Sequence, residues 1–101
     1  MIKHIVFFRL ADEAEGRSKL ENAQIIRDGL LALKQHVDVL VSAEVGINIP
    51  NAPKTDHDLC LTCTFDKWED LDTYQNHPEH VKVDEYIGKC KTNRSAVDYV
   101  I

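Results

Sequence analysis

The sequence has no basic cluster and no long apolar run, and each absence excludes a class of function. The 101 residues carry a formal net charge of −5, and nowhere do five basic residues stand together. Nucleic acids and anionic membrane surfaces are therefore not expected as partners, since both attract positively charged patches. No apolar stretch approaches the roughly 20 residues of a membrane-spanning helix. The start, Met1–Arg9, is too short in its apolar part and too charged for a signal peptide, so a cytoplasmic location is expected.

Cysteine is scarce, and its positions do not indicate a disulfide or a metal site. The 3 cysteines are Cys60, Cys63 and Cys90, and an odd number argues against a disulfide framework and fits a reducing compartment. Cys60 and Cys63 have C-x-x-C spacing, but they lie in a segment that is typical of a strand. Residues three apart on a strand point to opposite faces, so their thiols cannot converge. We expect them to be small, partly buried hydrophobic residues.

Other motifs of catalysis and cofactor binding are also missing. There is no glycine-rich phosphate loop, and no Ser or Cys stands in the sharp-turn context of a nucleophile. His77 and His80 are close in sequence, but Pro78 is expected to hold His77 outside the following helix, and no acidic residue is placed as a third ligand. We therefore predict neither a metal nor a cofactor.

The apolar residues that are present recur with the periods of strands and helices. Strands are predicted at Ile2–Leu10, Val37–Ile49, His57–Phe65 and Arg94–Ile101, and a first helix at Ala11–Lys34. A second helix is predicted to begin after Asp66, to break at Pro78 and to restart over Glu79–Lys89. Trp68 and the phenylalanines are expected in the core.

Local signals indicate where the helices begin. Asp12 or Ser18 is the candidate N-cap of the first helix. Asp66 is the expected N-cap of the second, with Glu69 completing a capping-box-like pair. Pro78 suits the first turn of the restarted helix, where its missing N–H leaves no bond unmade. The second helix is therefore expected in two pieces.

The order of these elements, β-α-β-β-α-β, is the plan of ferredoxin-like α+β folds. Helices should cover one face of a four-stranded antiparallel sheet, in a single domain that spans residues 1–101. The other face carries Ile5 and Phe7, which are apolar and have no helix to cover them. A second copy of the chain would bury them, so a homodimer is expected.

Histidine is the most suggestive residue type, with 5 copies in a short chain. His4 and His57 share the presumed helix-facing side of their strands, while Tyr74, His77 and His80 flank the helix break. These residues, His77 apart, could line one cavity, where imidazoles near neutral pKa and a phenol can move protons and hold an oxyanion. The alternative is structural, because half-buried histidines often bond to backbone groups, and His77 would cap the restarted helix.

Three segments resemble the stress-responsive A/B barrel domain (Dabb) family, and together they cover essentially the whole chain. They are the opening Met1–Phe8, the block Phe65–Asp84 with its His-Pro-x-His motif, and the ending Ser95–Tyr99. The His-Pro-x-His motif is the most specific of these features. The resemblance implies a dimeric α+β barrel, in which the sheets of two four-stranded subunits pack together.

The resemblance does not imply one activity. Family members include stress-induced plant proteins and a plant polyketide cyclase that performs an aldol condensation. In that cyclase a strand-one His, a helix Tyr and the second His of His-Pro-x-His line the pocket, and these match His4, Tyr74 and His80. The cyclase also has a third-strand His where this chain has Leu59, and His57 lies two residues earlier on the same face.

Three functions remain open at this point. The first is a homodimer of unassigned activity whose small apolar pocket binds an apolar or phenolic molecule, or which contributes to stress tolerance. The second is a polyketide-cyclase-like enzyme in which His80 is the general base and Tyr74 and His4 orient or polarise a carbonyl. The third is an α+β barrel monooxygenase, which the same architecture hosts. His57 and His77 are the further residues expected along the pocket.

Overall fold

The computed structural model describes residues 1–101 and contains a four-stranded antiparallel sheet, a two-stranded hairpin and three α-helices. In chain order the elements are β1 (Ile2–Leu10), β2 (Glu13–Ala14), β3 (Arg17–Ser18), α1 (Lys19–Ala32), β4 (Ser42–Ile47), β5 (Leu59–Phe65), α2 (Trp68–Asn76), α3 (Pro78–Cys90) and β6 (Lys91–Val100). The main sheet has the order β4-β5-β1-β6. This confirms the ferredoxin-like α+β plan, with the second helix divided into α2 and α3. No helix combines the length and the apolarity that crossing a membrane requires.

The two faces of the main sheet differ because side chains alternate along each strand. β1 lies between β5 and β6, with His4 opposite Cys63 on one side and Asp98 on the other. The helices cover one face, as predicted, and the core lies between them and the sheet. Its buried side chains include Val6, Phe8, Leu30, Leu61, Phe65 and Ile87.

The opposite face, here called the open face, is left uncovered by the helices. Phe7, Val97 and Tyr99 are exposed on it, and Ile5 is half-buried. The register places Ile5 directly beside Val97, so these side chains form one apolar patch along β1 and β6. The half of the open face formed by β4 and β5 is more polar and carries Ser42, Glu44, Thr62 and Thr64.

Helix α1 is shorter than the predicted Ala11–Lys34. It spans Lys19–Ala32, and a 3-10 turn, Leu33–Gln35, follows it. The residues before it form the β2–β3 hairpin, whose turn is made by Glu15 and Gly16, both with positive φ. Glycine adopts a positive φ readily. This turn is not helical, so the predicted helix cannot extend back through Glu15 and Gly16.

The start of α1 is set by Ser18, one of the two predicted caps. The Ser18 hydroxyl accepts a hydrogen bond from the Glu21 N–H, and the Glu21 carboxylate accepts one from the Ser18 N–H. This reciprocal capping box satisfies two backbone donors at once. Asp12 does not cap the helix and instead forms a salt bridge with Lys19.

Strand boundaries also differ from the prediction. β4 spans Ser42–Ile47 rather than Val37–Ile49. Val37 and Leu40 are buried, but they lie in a turn after the 3-10 segment and not in a strand. Their apolar spacing resembled the alternation of a strand. β5 begins at Leu59, so His57 lies outside it. β6 begins earlier than expected, directly after α3.

The break between α2 and α3 is confirmed. Pro78 occupies the first turn of α3, and the His77 side chain accepts a hydrogen bond from the Glu79 N–H at 3.1 Å. His77 therefore caps α3 and sets the direction in which the following residues leave α2.

Two expectations about α2 were wrong. Its N-cap is Lys67, which forms no side-chain capping bond, so Asp66 does not serve as the cap. Trp68 is 53% exposed instead of lying in the core. The buried stripe of α2 contains Leu71 and Tyr74, and Trp68 stands at the first turn, outside that stripe.

The cysteines of the C-x-x-C pair point to opposite faces, as predicted. Cys63 is buried under the helices, whereas Cys60 is half-buried and lies on the open face. Both are free thiols, as is Cys90.

Candidate functional site

A cavity of about 290 Å³ lies between the helix-covered face of the sheet and the helices. We call it the His4–His80 cavity, after the two histidines that line it. Its apolar wall is formed by Val6, Phe8, Leu30, Leu61 and Ile87, and its other polar residues are Gln75, Asp84, Lys91 and Arg94. Ligand sites typically have this composition, an apolar body with a few convergent polar groups.

His4 comes to this cavity from the middle of β1 and is only 3% exposed. Its Nδ1 is hydrogen-bonded to the Asp98 carboxylate, which the antiparallel register places directly opposite on β6. A carboxylate bonded to one ring nitrogen fixes the orientation of an imidazole. Nε2 forms no hydrogen bond within the protein, so it is the nitrogen that can meet a bound molecule.

His80 lies in the first turn of α3 and is half-buried. Its Nδ1 is enclosed but has no hydrogen-bond partner. Burial lowers the pKa of His80, Asp84 and the backbone of Gln75 oppose the shift, and His4 and Arg94 lower the pKa further. The ring is therefore neutral near pH 7 and retains a lone pair that can accept a proton or a hydrogen bond.

Tyr74 stands behind His80 and does not line the cavity. It is fully buried, with its ring centroid 4.5 Å from that of His80 and 5.2 Å from that of Phe65. Its hydroxyl lies 3.9 Å from the Cys63 sulfur. Burial raises the pKa of Tyr74 far above its ordinary value and that of Cys63 to about 11. Both groups are therefore neutral at physiological pH, and Tyr74 supports the His80 ring.

His57 lies away from the His4–His80 cavity. It precedes β5, and its ring packs near Phe7 with the centroids 6.0 Å apart. Its Nε2 is 2.8 Å from the Asn93 side-chain oxygen. It lines a separate cavity of about 560 Å³ at the edge of the open face. Strand alternation predicted that His57 shares a face with His4. The strand begins only at Leu59, so the alternation does not extend to His57.

The structure thus brings together His4 and His80, with Tyr74 in support, and leaves His57 and His77 outside. Sequence reasoning missed Asp98 and the charged residues of the wall. Asp98 belongs to an alternating strand, and only the pairing of β6 with β1 shows that it meets His4. That register is a tertiary property, since the two strands stand at opposite ends of the chain.

The lowered pKa of His80 predicts a pH dependence of stability. An unfolded chain takes up a proton on this histidine near pH 6.5, whereas the folded protein does so only at lower pH. Stability that is present above pH 6.5 is therefore lost as the pH falls below it. We expect urea denaturation to show a steeper loss of unfolding free energy between about pH 7.5 and about pH 5 for the native chain than for His80→Gln. Parallel pH curves would contradict the assignment.

A family model matches nearly the whole chain. It is that of the stress responsive A/B barrel domain, Dabb, and it matches residues 2–101. No curated protein matches the sequence. Among solved structures, a dimeric protein of unknown function with a ferredoxin-like fold from Bacteroides fragilis is 30% identical. That match covers 99% of this chain and 95% of the other, with a TM-score of 0.79.

Two more distant structures share the fold. A dimeric ferredoxin-like protein of unknown function from Thermobifida fusca is 22% identical over 99% of this chain and 90% of its own, with a TM-score of 0.82. A hydroxynitrile lyase from Passiflora edulis is 16% identical over 99% and 92%, with a TM-score of 0.77. At these identities the likeness establishes the fold alone.

Proposed function

Because this chain belongs to the stress responsive A/B barrel domain (Dabb) family, we propose that it is a homodimer that binds a small molecule in the His4–His80 cavity. The observation that carries the proposal is the cavity itself, which brings the half-buried His80 ring and the His4 ring together beside an apolar wall. A ligand with an apolar body and one hydrogen-bonding group would fit this combination.

The homodimer is supported by the open face and by a relative. Ile5, Phe7, Val97 and Tyr99 form an apolar patch that a second copy would cover, and the 30% identical Bacteroides fragilis protein is dimeric. In a dimer with a two-fold axis, the apolar patch of one subunit would pack against the same patch of its partner. The His4–His80 cavity lies on the other side of the sheet, so dimerisation would leave it open.

The cavity also limits the chemistry of its ligand. At about 290 Å³ it is at the small end of ligand sites, which suits a molecule with one ring. The wall offers Val6, Leu61 and Ile87 to an apolar body, and His80 accepts a hydrogen bond from a hydroxyl. A small apolar or phenolic molecule fits both requirements.

The test is an NMR titration of the 15N-labelled protein with 4-methylphenol. We expect shifts confined to the cavity, at the amides of Val6, Leu61 and His80. His80→Ala should weaken binding about tenfold, the effect of one hydrogen bond to a buried group. His57→Ala, which removes a histidine outside the cavity, should leave binding unchanged. Equal affinity of the native chain and His80→Ala would remove His80 from the site.

The second candidate is an enzyme that moves protons, and one specific arrangement favours it. The cavity combines a neutral His80 with His4, whose ring is held by Asp98. His80 would remove a proton from the substrate as general base, and His4, whose ring Asp98 holds in place, would orient the substrate beside it.

This enzymatic candidate has its own test. Proton NMR in D2O would follow deuterium exchange at the acidic carbon of a β-dicarbonyl probe, a model of a polyketide. The native chain should exceed the solvent rate, and His80→Gln should not. Equal rates for both proteins would exclude the enzyme and leave the binding function standing.

A further inference from the structure

The mouth of the His4–His80 cavity carries two cations that have no anionic partner in the protein. Lys91 and Arg94 both line the cavity, yet neither takes part in any of the salt bridges of the structure. Asp84, the carboxylate on the same wall, is beyond ion-pair distance of both. Asp98 is already bonded to His4. The cavity wall therefore carries two cations and one carboxylate. This local excess of positive charge contrasts with the net charge of −5 of the whole chain.

The placement of these cations is set by the sheet. The register puts Arg94 opposite Phe8 and Lys91 opposite Leu10, so both point to the helix-covered side, which is apolar along β1. β6 is an edge strand and every residue in it is exposed. The two side chains therefore stand at the rim of the cavity, in contact with solvent and within reach of a molecule that enters.

We propose that the ligand of this cavity is a monoanion, a small molecule whose carboxylate is bound by Arg94 and Lys91 at the mouth. The inference rests on the proposed ligand-binding function. A guanidinium matches the two oxygens of a carboxylate with parallel N–H donors, and a lysine adds a movable point charge. Asp84 beside them disfavours a dianion, so a carboxylate fits this mouth better than a phosphate.

The rest of the ligand follows from the other residues that line the cavity. Its apolar body lies against Val6, Leu61 and Ile87, and a hydroxyl or carbonyl on that body meets His80 or His4. The ligand thus combines a carboxylate for the two cations with an apolar body and one neutral polar group for the histidine pair. This geometry selects molecules that are charged at one end only.

The test compares two probes of nearly equal shape, 4-methylbenzoate and its neutral amide, 4-methylbenzamide, by NMR titration at pH 7. We expect the benzoate to bind the native chain about tenfold more tightly, as a charge-assisted bond predicts. Arg94→Gln and Lys91→Gln should each reduce that preference and leave the affinity for the amide unchanged. Lys89→Gln removes a cation from α3 outside the cavity wall and should preserve the preference. A third probe, 4-methylphenyl phosphate, tests the preference for a monoanion.

The outcomes separate this inference from the function on which it rests. Equal affinity for benzoate and amide, unaffected by Arg94→Gln, would overturn the anionic ligand and leave the binding cavity intact. Tighter binding of the phosphate than of the benzoate would overturn the monoanion. If no probe shifts the cavity amides, both the inference and the binding function fail. Arg94 and Lys91 are exposed and without ion pairs, so their variants are expected to fold.

Discussion

Replacing Tyr74 by alanine is expected to lower the free energy of unfolding by about 3–5 kcal/mol, the usual cost of removing a large aromatic side chain from a core. Tyr74 is fully buried and its ring touches both Phe65 and His80. Small proteins have only about 5–15 kcal/mol of stability in total. Urea denaturation followed by circular dichroism should therefore show a variant that is close to unfolding.

The matched variant Tyr74→Phe separates the ring from the hydroxyl. The only neighbour of that hydroxyl in the hydrogen-bond network is the Cys63 sulfur, at 3.9 Å, and thiols are weak partners. We expect Tyr74→Phe to lose less than about 1.5 kcal/mol and to bind 4-methylphenol as the native chain does. If it keeps its stability but loses binding or deuterium exchange, the hydroxyl acts on the ligand directly, and its supporting role is wrong.

The sequence predicted the order of the elements because apolar periodicity reports which face of a segment is buried. The predicted ends of strands and helices were wrong where the apolar periodicity continued beyond the last backbone hydrogen bond of the element. Val37 and Leu40 are buried from a turn, and the hairpin at Glu15 and Gly16 interrupts a stretch that looked helical. In each case a backbone turn decided the structure, and side-chain polarity did not report it.

Some residues of the site were predicted correctly because local sequence patterns determine their position. His4 and His80 are local features of a strand and of a helix that follows a proline, so their faces could be inferred. His57 was assigned to a strand that begins only at Leu59. The Asp58 N–H donates to the Phe8 carbonyl, and its carboxylate accepts from the Leu10 N–H, so the chain is anchored there in a loop conformation.

The charged rim could not be inferred from the sequence at all. Whether Arg94 points at a cavity or at solvent depends on the pairing of β6 with β1, and the same pairing brings Asp98 to His4. The two strands lie at opposite ends of the chain, where no local pattern relates them. The tertiary register therefore contributes both the orientation of His4 and the cations that select the ligand.

A charge on the open face is expected to dissociate the proposed homodimer. Val97 is 57% exposed in the single chain and lies beside Ile5 in the apolar patch. In a two-fold dimer Val97→Glu would introduce two carboxylates into one apolar interface. Burying a charge without a partner costs several kcal/mol, so the dissociation constant should rise more than about a hundredfold. Sedimentation velocity should show the mass fall from twice the 11.5 kDa of one chain to that of a monomer.

Two further variants test whether a buried charge on the open face is the cause of the dissociation. Val97→Lys introduces the opposite charge and should dissociate the dimer equally, which would show that burial of a charge of either sign is responsible. Val81→Glu makes the same substitution at a valine that is 41% exposed on α3, and it should leave the dimer intact. If both Val97 variants keep the native mass, the subunits meet through another surface. If Val81→Glu also dissociates them, the helices take part in the interface, and the apolar patch of the open face is not sufficient to hold two copies together.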